Sequence, residues 1–213
     1  DAKQVAKSIL AQLTPDAGNA GRAERKALIH QTKSAWLQTL SSMDHEDDDP
    51  GTSWNHDART RQPERLSPRM AWRAIQAGLP KDAIISSDIG NNCAIGNAYP
   101  TFEKGRKYLA PGLFGPCGYG FPSIIGAKIG CPDVPVVGFA GDGAFGINAM
   151  EIDSAKRHGA KAVFIVSNNA AWNIERLDQE MNYGGRVVGT TLAWSDYAAM
   201  ARAFGLHAER VTD

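Results

Sequence analysis

Residues 134–146 read VPVVGFAGDGAFG, and residues 162–169 read AVFIVSNN. Each stretch opens as an apolar run without polar alternation and ends in small or amide residues. Such a run is the pattern of a strand buried on both faces, and two of them joined by a helix make a parallel crossover. Upstream, AIISSDIG (83–90) reads as a third strand of the same kind. Helices are expected around these strands. Ser67 as N-cap with Pro68 at the first helical position predicts a helix start, with Met70, Ile75 and Leu79 on its apolar face. Residues 111–130, PGLFGPCGYGFPSIIGAKIG, are glycine-rich and predict a helix after Pro122. A helix over 147–158 would bury Ile147, Met150 and Ala155, and a last amphipathic one over 195–204 carries Tyr197, Met200 and Ala201. The order of elements predicts an α/β fold, a parallel sheet with helices on both faces.

The first 66 residues have a different texture. Val5, Ile9 and Leu13 recur at helical spacing, as do Leu28, Trp36 and Leu40, with the breakers Pro15 and Gly18 between the two patterns. MDHEDDDPGTSWNHDARTRQPERL (43–66) is acidic, then basic, with little to bury, and reads as an exposed connector. His45 and its acidic neighbours lack a spacing that would fix a metal geometry, so a solvated charge run is the better reading.

Composition excludes several functions. Lys plus Arg number 23 and Asp plus Glu number 23, which removes the basic excess that a nucleic-acid or membrane-surface binder needs. No apolar run approaches the roughly 20 residues of a membrane span. Cys93, Cys117 and Cys131 are an odd set without CxxC spacing, which points away from disulfides and zinc and toward a reducing cytoplasm.

Ligands of open α/β sheets bind beyond the carboxyl ends of the strands. Here those ends are Asp88–Asn92, Gly141–Gly143 and Asn168–Asn169, with the loop 111–120 between them. The glycines of Gly141-Asp142-Gly143 allow close backbone approach to a bulky anion. Asp142 alone would repel a phosphate, so a cation between the two is implied. Mg²⁺ takes oxygen ligands and commonly binds through one or two protein groups plus phosphate oxygens. Asn169 offers an amide oxygen, and a backbone carbonyl at Ala171 could complete the set. A lone GDG arises by chance in about one chain in twenty of this length, whereas GDG with an Asn pair at a fixed spacing falls to roughly one in ten thousand. The pattern G-x-G-x-x-G also fits residues 141–146, but the acid expected about 20 positions later in a nicotinamide-binding unit is missing. Val163 stands there instead. Asn92 and Tyr119 flank the loops. Trp172 is a channel or core aromatic. Arg176 and Arg186 suit an anionic substrate but read first as solvated, and His158 reads as a helix C-terminal cation.

GDG at 141–143 closed by Asn168-Asn169, with strand, helix and strand between, resembles the signature of thiamine diphosphate-dependent enzymes. The resemblance implies that Asp142, the Asn169 side chain and the Ala171 carbonyl hold Mg²⁺. Backbone around Gly141, Gly143, Ala144 and Phe145, with the Asn91 region, would hold the diphosphate. The Gly115 carbonyl would receive the cofactor's 4′-amino group, and Cys117 would prop it into its V shape. As residues alone, Cys117 reads equally well as a buried structural thiol. On this resemblance residues 1–66 are the end of a central domain plus linker, and 67–213 the diphosphate-side domain, lacking its last strand and helix.

The activating glutamate would sit on a pyrimidine-binding domain of the same or another subunit, in a homodimer or homotetramer, so no catalytic residue is assignable in this chain. Within the family, SSDIGNNCAIGNAYP (86–100), KYLAPGLFGPCGYG (107–120), GAKIGCPDVPVVGFAGDGAFG (126–146) and KALIHQTKSAWLQTLSSMDHEDDDPGTSWN (26–55) resemble the sulfoacetaldehyde acetyltransferases. That likeness implies conversion of sulfoacetaldehyde and phosphate to acetyl phosphate and sulfite. Residues 148–176 look more like acetolactate synthases and 2-hydroxyacyl-CoA lyases. A non-catalytic subunit that keeps the fold is the reading from another class.

Overall fold

A computed structural model describes residues 1–13, 21–43, 66, 68–101 and 107–212. The chain divides into two units, Asp1–Trp54 and Asn55–Asp213. In the first, helices α1 (Ala2–Gln12) and α2 (Arg22–Met43) form where the periodicity predicts them. Asp1 caps α1 by accepting a hydrogen bond from the Lys3 N–H at 2.9 Å. The apolar positions do not make a core of their own. Val5, Ile9, Leu13, Leu28 and Trp36 are all exposed, and only Leu40 is buried among the helical residues. The connector, His45, the Pro15–Gly18 turn and the Ser67 cap lie outside the described residues.

The second unit is built on four parallel strands, β1 (Ile84–Ser87), β2 (Tyr108–Leu109), β3 (Val136–Gly141) and β4 (Val163–Ser167), in the order β2-β1-β3-β4. Alternation along β3 explains how the sheet is covered. Val136 and Ala140 point into a cluster with Phe121, Ile124 and Ile125 of α5 (Gly120–Gly130), Phe145 of α6 (Asp142–Asn148) and Ile152 of α7 (Ile152–Arg157). Tyr197, Met200 and Ala201 of α9 (Tyr197–Ala203) pack against the same cluster, as their spacing predicts. Phe139 points the other way and meets Trp72 of α3 (Pro68–Gly78) at 4.4 Å between ring centroids. The short α4 (Asn91–Gly96) completes this second face. Helices therefore flank both faces, as expected.

Three expectations are corrected. Trp72, not Met70, is the buried anchor of α3, because Trp72 faces Phe139 while Met70 is 53% exposed. The helix expected from 147 begins at Asp142, passes through a 3-10 turn at Ala149–Glu151 and resumes as α7. That earlier start rotates the buried stripe to Phe145, Ala149 and Ile152 and leaves Ile147 and Met150 exposed. Finally, α4, β2 and α8 (Asn173–Asn182) were not anticipated.

Phe139 is 1% exposed and holds the Trp72 face to the sheet. Phe139→Ala is expected to lower unfolding free energy by about 3–5 kcal/mol, the cost of deleting a buried aromatic. Urea titration followed by tryptophan fluorescence measures it.

Candidate functional site

The strand order reverses direction between β1 and β3: from β1 the chain moves outward to β2, then returns across β1 to β3 and β4. At such a switch point the loops leaving the two central strands part and open a crevice at their carboxyl ends. The loops that diverge here are Asp88–Asn92 after β1 and Gly141-Asp142-Gly143 after β3. The Asn168–Trp172 loop follows β4 next to them, with Gly141 opposite Ser167 in the ladder.

Asp142 is 1% exposed, and neither carboxylate oxygen has a hydrogen-bond partner. Burial raises its pKa above the ordinary 3.8. The backbone N–H groups of Asp142, Asn169, Gly143 and Ala170 pull the other way, but none closes a hydrogen bond onto either oxygen. A bare buried carboxylate is costly unless a cation meets it.

The β4 loop beside it carries further oxygens, and three of its residues differ in whether theirs are engaged. Asn168 is spent on structure. Its Nδ2 donates to the Ser195 carbonyl at 3.0 Å, and its Oδ1 accepts from the Ala170 N–H at 3.1 Å. The turn this makes holds Ala170 at φ 56, a conformation L-residues rarely adopt. Asn169 is left with an exposed side chain and a backbone N–H directed at Asp142. Ala171 pairs with Thr191 in an antiparallel bridge whose hydrogen bonds come from its neighbours, Trp172 N–H to Thr190 O at 2.9 Å and Leu192 N–H to Ala170 O at 2.8 Å. In that pairing the N–H and C=O of Ala171 turn away from the ladder. The carbonyl is therefore not consumed by the bridge. Among the described residues no three His, Cys, Asp or Glu side chains gather to hold a metal by themselves. One carboxylate, one amide and one carbonyl form a hard oxygen set that fits Mg²⁺ completed by phosphate oxygens or water.

Other nominated residues lie on the elements that follow the strand ends, several of them packed into the core. Gly143, the second residue of α6, lies directly beneath the Trp172 indole, where a Cβ would come within 2.9 Å of ring atoms. Trp172 is thus a packing element of the Asn168–Trp172 loop. Ala144 and Phe145 are buried in the first turn of α6, where backbone N–H groups have no intrahelical acceptor. Asn91 opens α4, and Asn92 beside it is buried, with Nδ2 near Gly141. Gly115 has φ 58 and lies against the Ile89 side chain, which a Cβ would approach to 2.5 Å. The Cys117 thiol is half-buried and free; burial first, then the charges of Asp88 and Glu175, push its pKa up and keep it neutral. Arg176 pairs with Glu180 at 3.0 Å on α8.

Two contributors escaped the sequence reading. Asp88 was taken only as the first residue of a loop, yet it is fully buried and its carboxylate reaches residues of the 111–120 loop. Tyr197, placed only as a core residue, also brings its hydroxyl to 3.5 Å from the Asp142 carbonyl. A partner some 30 or more residues away leaves no local trace in sequence.

Comparison with known proteins concerns the family and the fold. Residues 88–213 match the model of the thiamine pyrophosphate enzyme C-terminal TPP binding domain. A probable sulfoacetaldehyde acetyltransferase of Rhizobium meliloti is 66% identical over 97% of this chain, and a sulfoacetaldehyde acetyltransferase of Roseovarius nubinhibens is 63% identical over 97%. The alignments cover 35% and 34% of those relatives, so the chain spans about a third of their length. Among solved structures, the thiamine diphosphate-dependent 4-hydroxybenzoylformate decarboxylase of Rhodococcus jostii RHA1 superposes with a TM-score of 0.63 at 24% identity, over 69% of this chain and 28% of the decarboxylase. That likeness concerns the fold. With more than half of the chain matched by the family model, the protein belongs to the thiamine pyrophosphate enzymes and carries their C-terminal TPP binding domain.

Proposed function

We propose that this chain is the diphosphate-side domain, residues 67–213, of a Mg²⁺-dependent acetyltransferase that converts sulfoacetaldehyde and phosphate to acetyl phosphate and sulfite. Residues 1–66 are then the end of a central domain with its linker. The observation that carries the metal site is the buried Asp142 carboxylate with both oxygens unpartnered at the end of β3. The substrate reading draws on the 66% identity to a probable sulfoacetaldehyde acetyltransferase.

In this reading Asp142, the Asn169 side chain and the Ala171 carbonyl hold the cation. The cation and the N–H groups of Gly143, Ala144 and Phe145, with Gly141 and Asn91 alongside, hold the diphosphate. Gly115 offers its carbonyl to the aminopyrimidine. Cys117, kept neutral by burial, serves as an apolar contact beneath the cofactor. Thiamine diphosphate, when bound, would supply a carbon nucleophile and take up the electron pair of the aldehyde C–H bond, which is passed on as sulfite leaves with the carbon–sulfur pair and the methylene carbon gains a proton. The protein's part is to position it and exclude water. In the overall reaction the carbon–sulfur bond breaks, sulfite departs and a phosphate oxygen bonds to the acetyl carbon. A pyrimidine-binding domain of the same or another subunit completes the site in a homodimer or homotetramer. No described helix is long and apolar enough to cross a membrane, and the three cysteines are free. Both features accord with work in the cytoplasm.

The activity is tested on the intact protein with thiamine diphosphate and Mg²⁺. Sulfite and acetyl phosphate should appear in equal amounts from sulfoacetaldehyde and phosphate. Acetolactate from pyruvate without sulfite release would instead place the protein with the carboligases. A biological effect that survives Asp142→Ala would point to a non-catalytic role. Asn169→Ala is expected to weaken Mg²⁺-dependent cofactor binding about tenfold or more. Asn168→Ala should act through stability, costing about 1–2 kcal/mol as its two hydrogen bonds, one exposed and one part-buried, are lost. Calorimetric titration and thermal melting separate the two.

Asp142 also yields a pH signature. Its folded-state pKa lies above the unfolded one because burial disfavours the charge. The native state therefore binds the proton more tightly, and stability falls as pH rises from 3.8 through the raised value. Without Mg²⁺, Asp142→Asn should melt about 2–4 °C above the parent at neutral pH for each kcal/mol of relieved penalty. The gap should close in acid. With Mg²⁺ and cofactor the order should reverse, because only the parent gains binding energy.

A further inference from the structure

Asp88 is the second acid at the switch point, and its circumstances are the opposite of those of Asp142. It is 0% exposed, and its carboxylate is fully engaged. Oδ1 accepts from the Ile89 N–H at 2.9 Å and from the Gly118 N–H at 3.1 Å, while Oδ2 accepts from the Gly120 N–H at 2.6 Å. Its own N–H donates to the Phe139 carbonyl of β3 at 2.8 Å, which fixes the residue in the sheet.

The loop it grips has little structure of its own. Gly112, Gly115 and Gly118 have φ of 61, 58 and 86, outside helix and strand geometry. Among the described residues, one long backbone bond, Gly115 N–H to Pro111 O at 3.3 Å, ties the loop to itself before α5 begins. From the far side, Asn148 of α6 donates to the Gly118 carbonyl at 2.8 Å. The residue after Asp88 completes the clasp, since the Ile89 side chain is the surface on which Gly115 rests. Hydrogen bonds to an ionised acceptor are shorter and about twice as strong as neutral ones.

We propose that Asp88 is a positioning residue that sets the Gly115–Gly120 loop, and with it the Gly115 carbonyl and Cys117, at the height required by the pyrimidine half of the cofactor. The inference rests on the reading of this crevice as a thiamine diphosphate site. It assigns the two acids separate ends of one ligand. Asp142 serves the diphosphate through a cation, and Asp88 serves the pyrimidine through backbone amides without touching it.

The two ends can be titrated separately on the intact protein. Calorimetry with Mg²⁺ would compare inorganic pyrophosphate, which has only the diphosphate end, with thiamine diphosphate, which has both. For Asp88→Asn, pyrophosphate affinity should stay within about twofold of the parent, while thiamine diphosphate affinity should fall about tenfold or more. Asp88→Glu keeps the charge but moves it by one methylene, and should show a smaller loss of the same selective kind. Val137→Ala, on the sheet face away from the loop, serves as a destabilised control matched in melting temperature. Equal loss of both ligands, tracking melting temperature as in that control, would overturn the proposal, and so would no loss at all. If Asp88→Asn does not fold, Asp88→Glu is read in its place. Failure of both to fold with saturating pyrophosphate would also overturn it, since Asp88 would then be a residue of the fold itself. A parent that binds pyrophosphate but gains nothing from thiamine would refute the cofactor reading, and this inference with it.

Discussion

A carboxylate that is buried without a partner organises this domain. Asp142 begins α6 where β3 ends, and both oxygens stand bare at 1% exposure. Folding alone does not compensate such a group, because the donors around it stop short of hydrogen-bond geometry. The neighbouring β4 loop bears the complementary distortion. Ala170 is held at φ 56 so that Asn169 faces outward and the Ala171 carbonyl turns away from its own ladder. A left-handed backbone in the loop and a bare charge beside it are both unfavourable in isolation, and such costs cluster at functional sites.

The parts of the fold legible in sequence are those whose physics is local. Three strands were readable because parallel strands covered on both faces must be apolar throughout, as Val136, Val137 and Phe139 are. The helix faces were read less well. The expected start at 147 lies five residues, not a whole number of turns, after the observed start at Asp142, and the 3-10 turn at Ala149–Glu151 breaks the period, so Ile147 and Met150 stand exposed while Phe145 and Ile152 are buried. Trp72 was passed over for Met70 since periodicity weighs residues alike, whereas the space opposite Phe139 suits a large ring. The two-residue β2 and the six-residue α4 are too short to carry a period at all.

The candidate site shows the same division. Asp142 and Asn169 were legible as a pair because a strand–helix–strand unit brings the ends of adjacent parallel strands together whatever lies between. Their proximity is thus a property of topology, and β3 pairs with β4 as that unit requires. The exposed Asn169 and the structural Asn168 could also be told apart in principle, since an Asn at the start of a tight turn commonly bonds two residues ahead, as Asn168 does to Ala170. Asp88 was illegible because it looks like an ordinary turn-forming acid after a strand. Its meaning depends on Gly118 and Gly120, which reach it only once α5 has packed against β1 and β3.

The contrast between the two acids follows from charge. β1 and β3 are hydrogen-bonded neighbours, and Asp88 is anchored directly to the Phe139 carbonyl, three residues before Asp142. Two bare carboxylates at adjacent strand ends would repel one another. Three backbone donors satisfy one of them within the protein. Asp88 is satisfied by the protein's own backbone, and Asp142 is left as the acid with both oxygens unpartnered. The glycine-rich loop accordingly has two duties that one geometry satisfies. Its amides satisfy the buried Asp88 carboxylate, and by docking on it the loop acquires a fixed place that its own backbone hydrogen bonds do not provide.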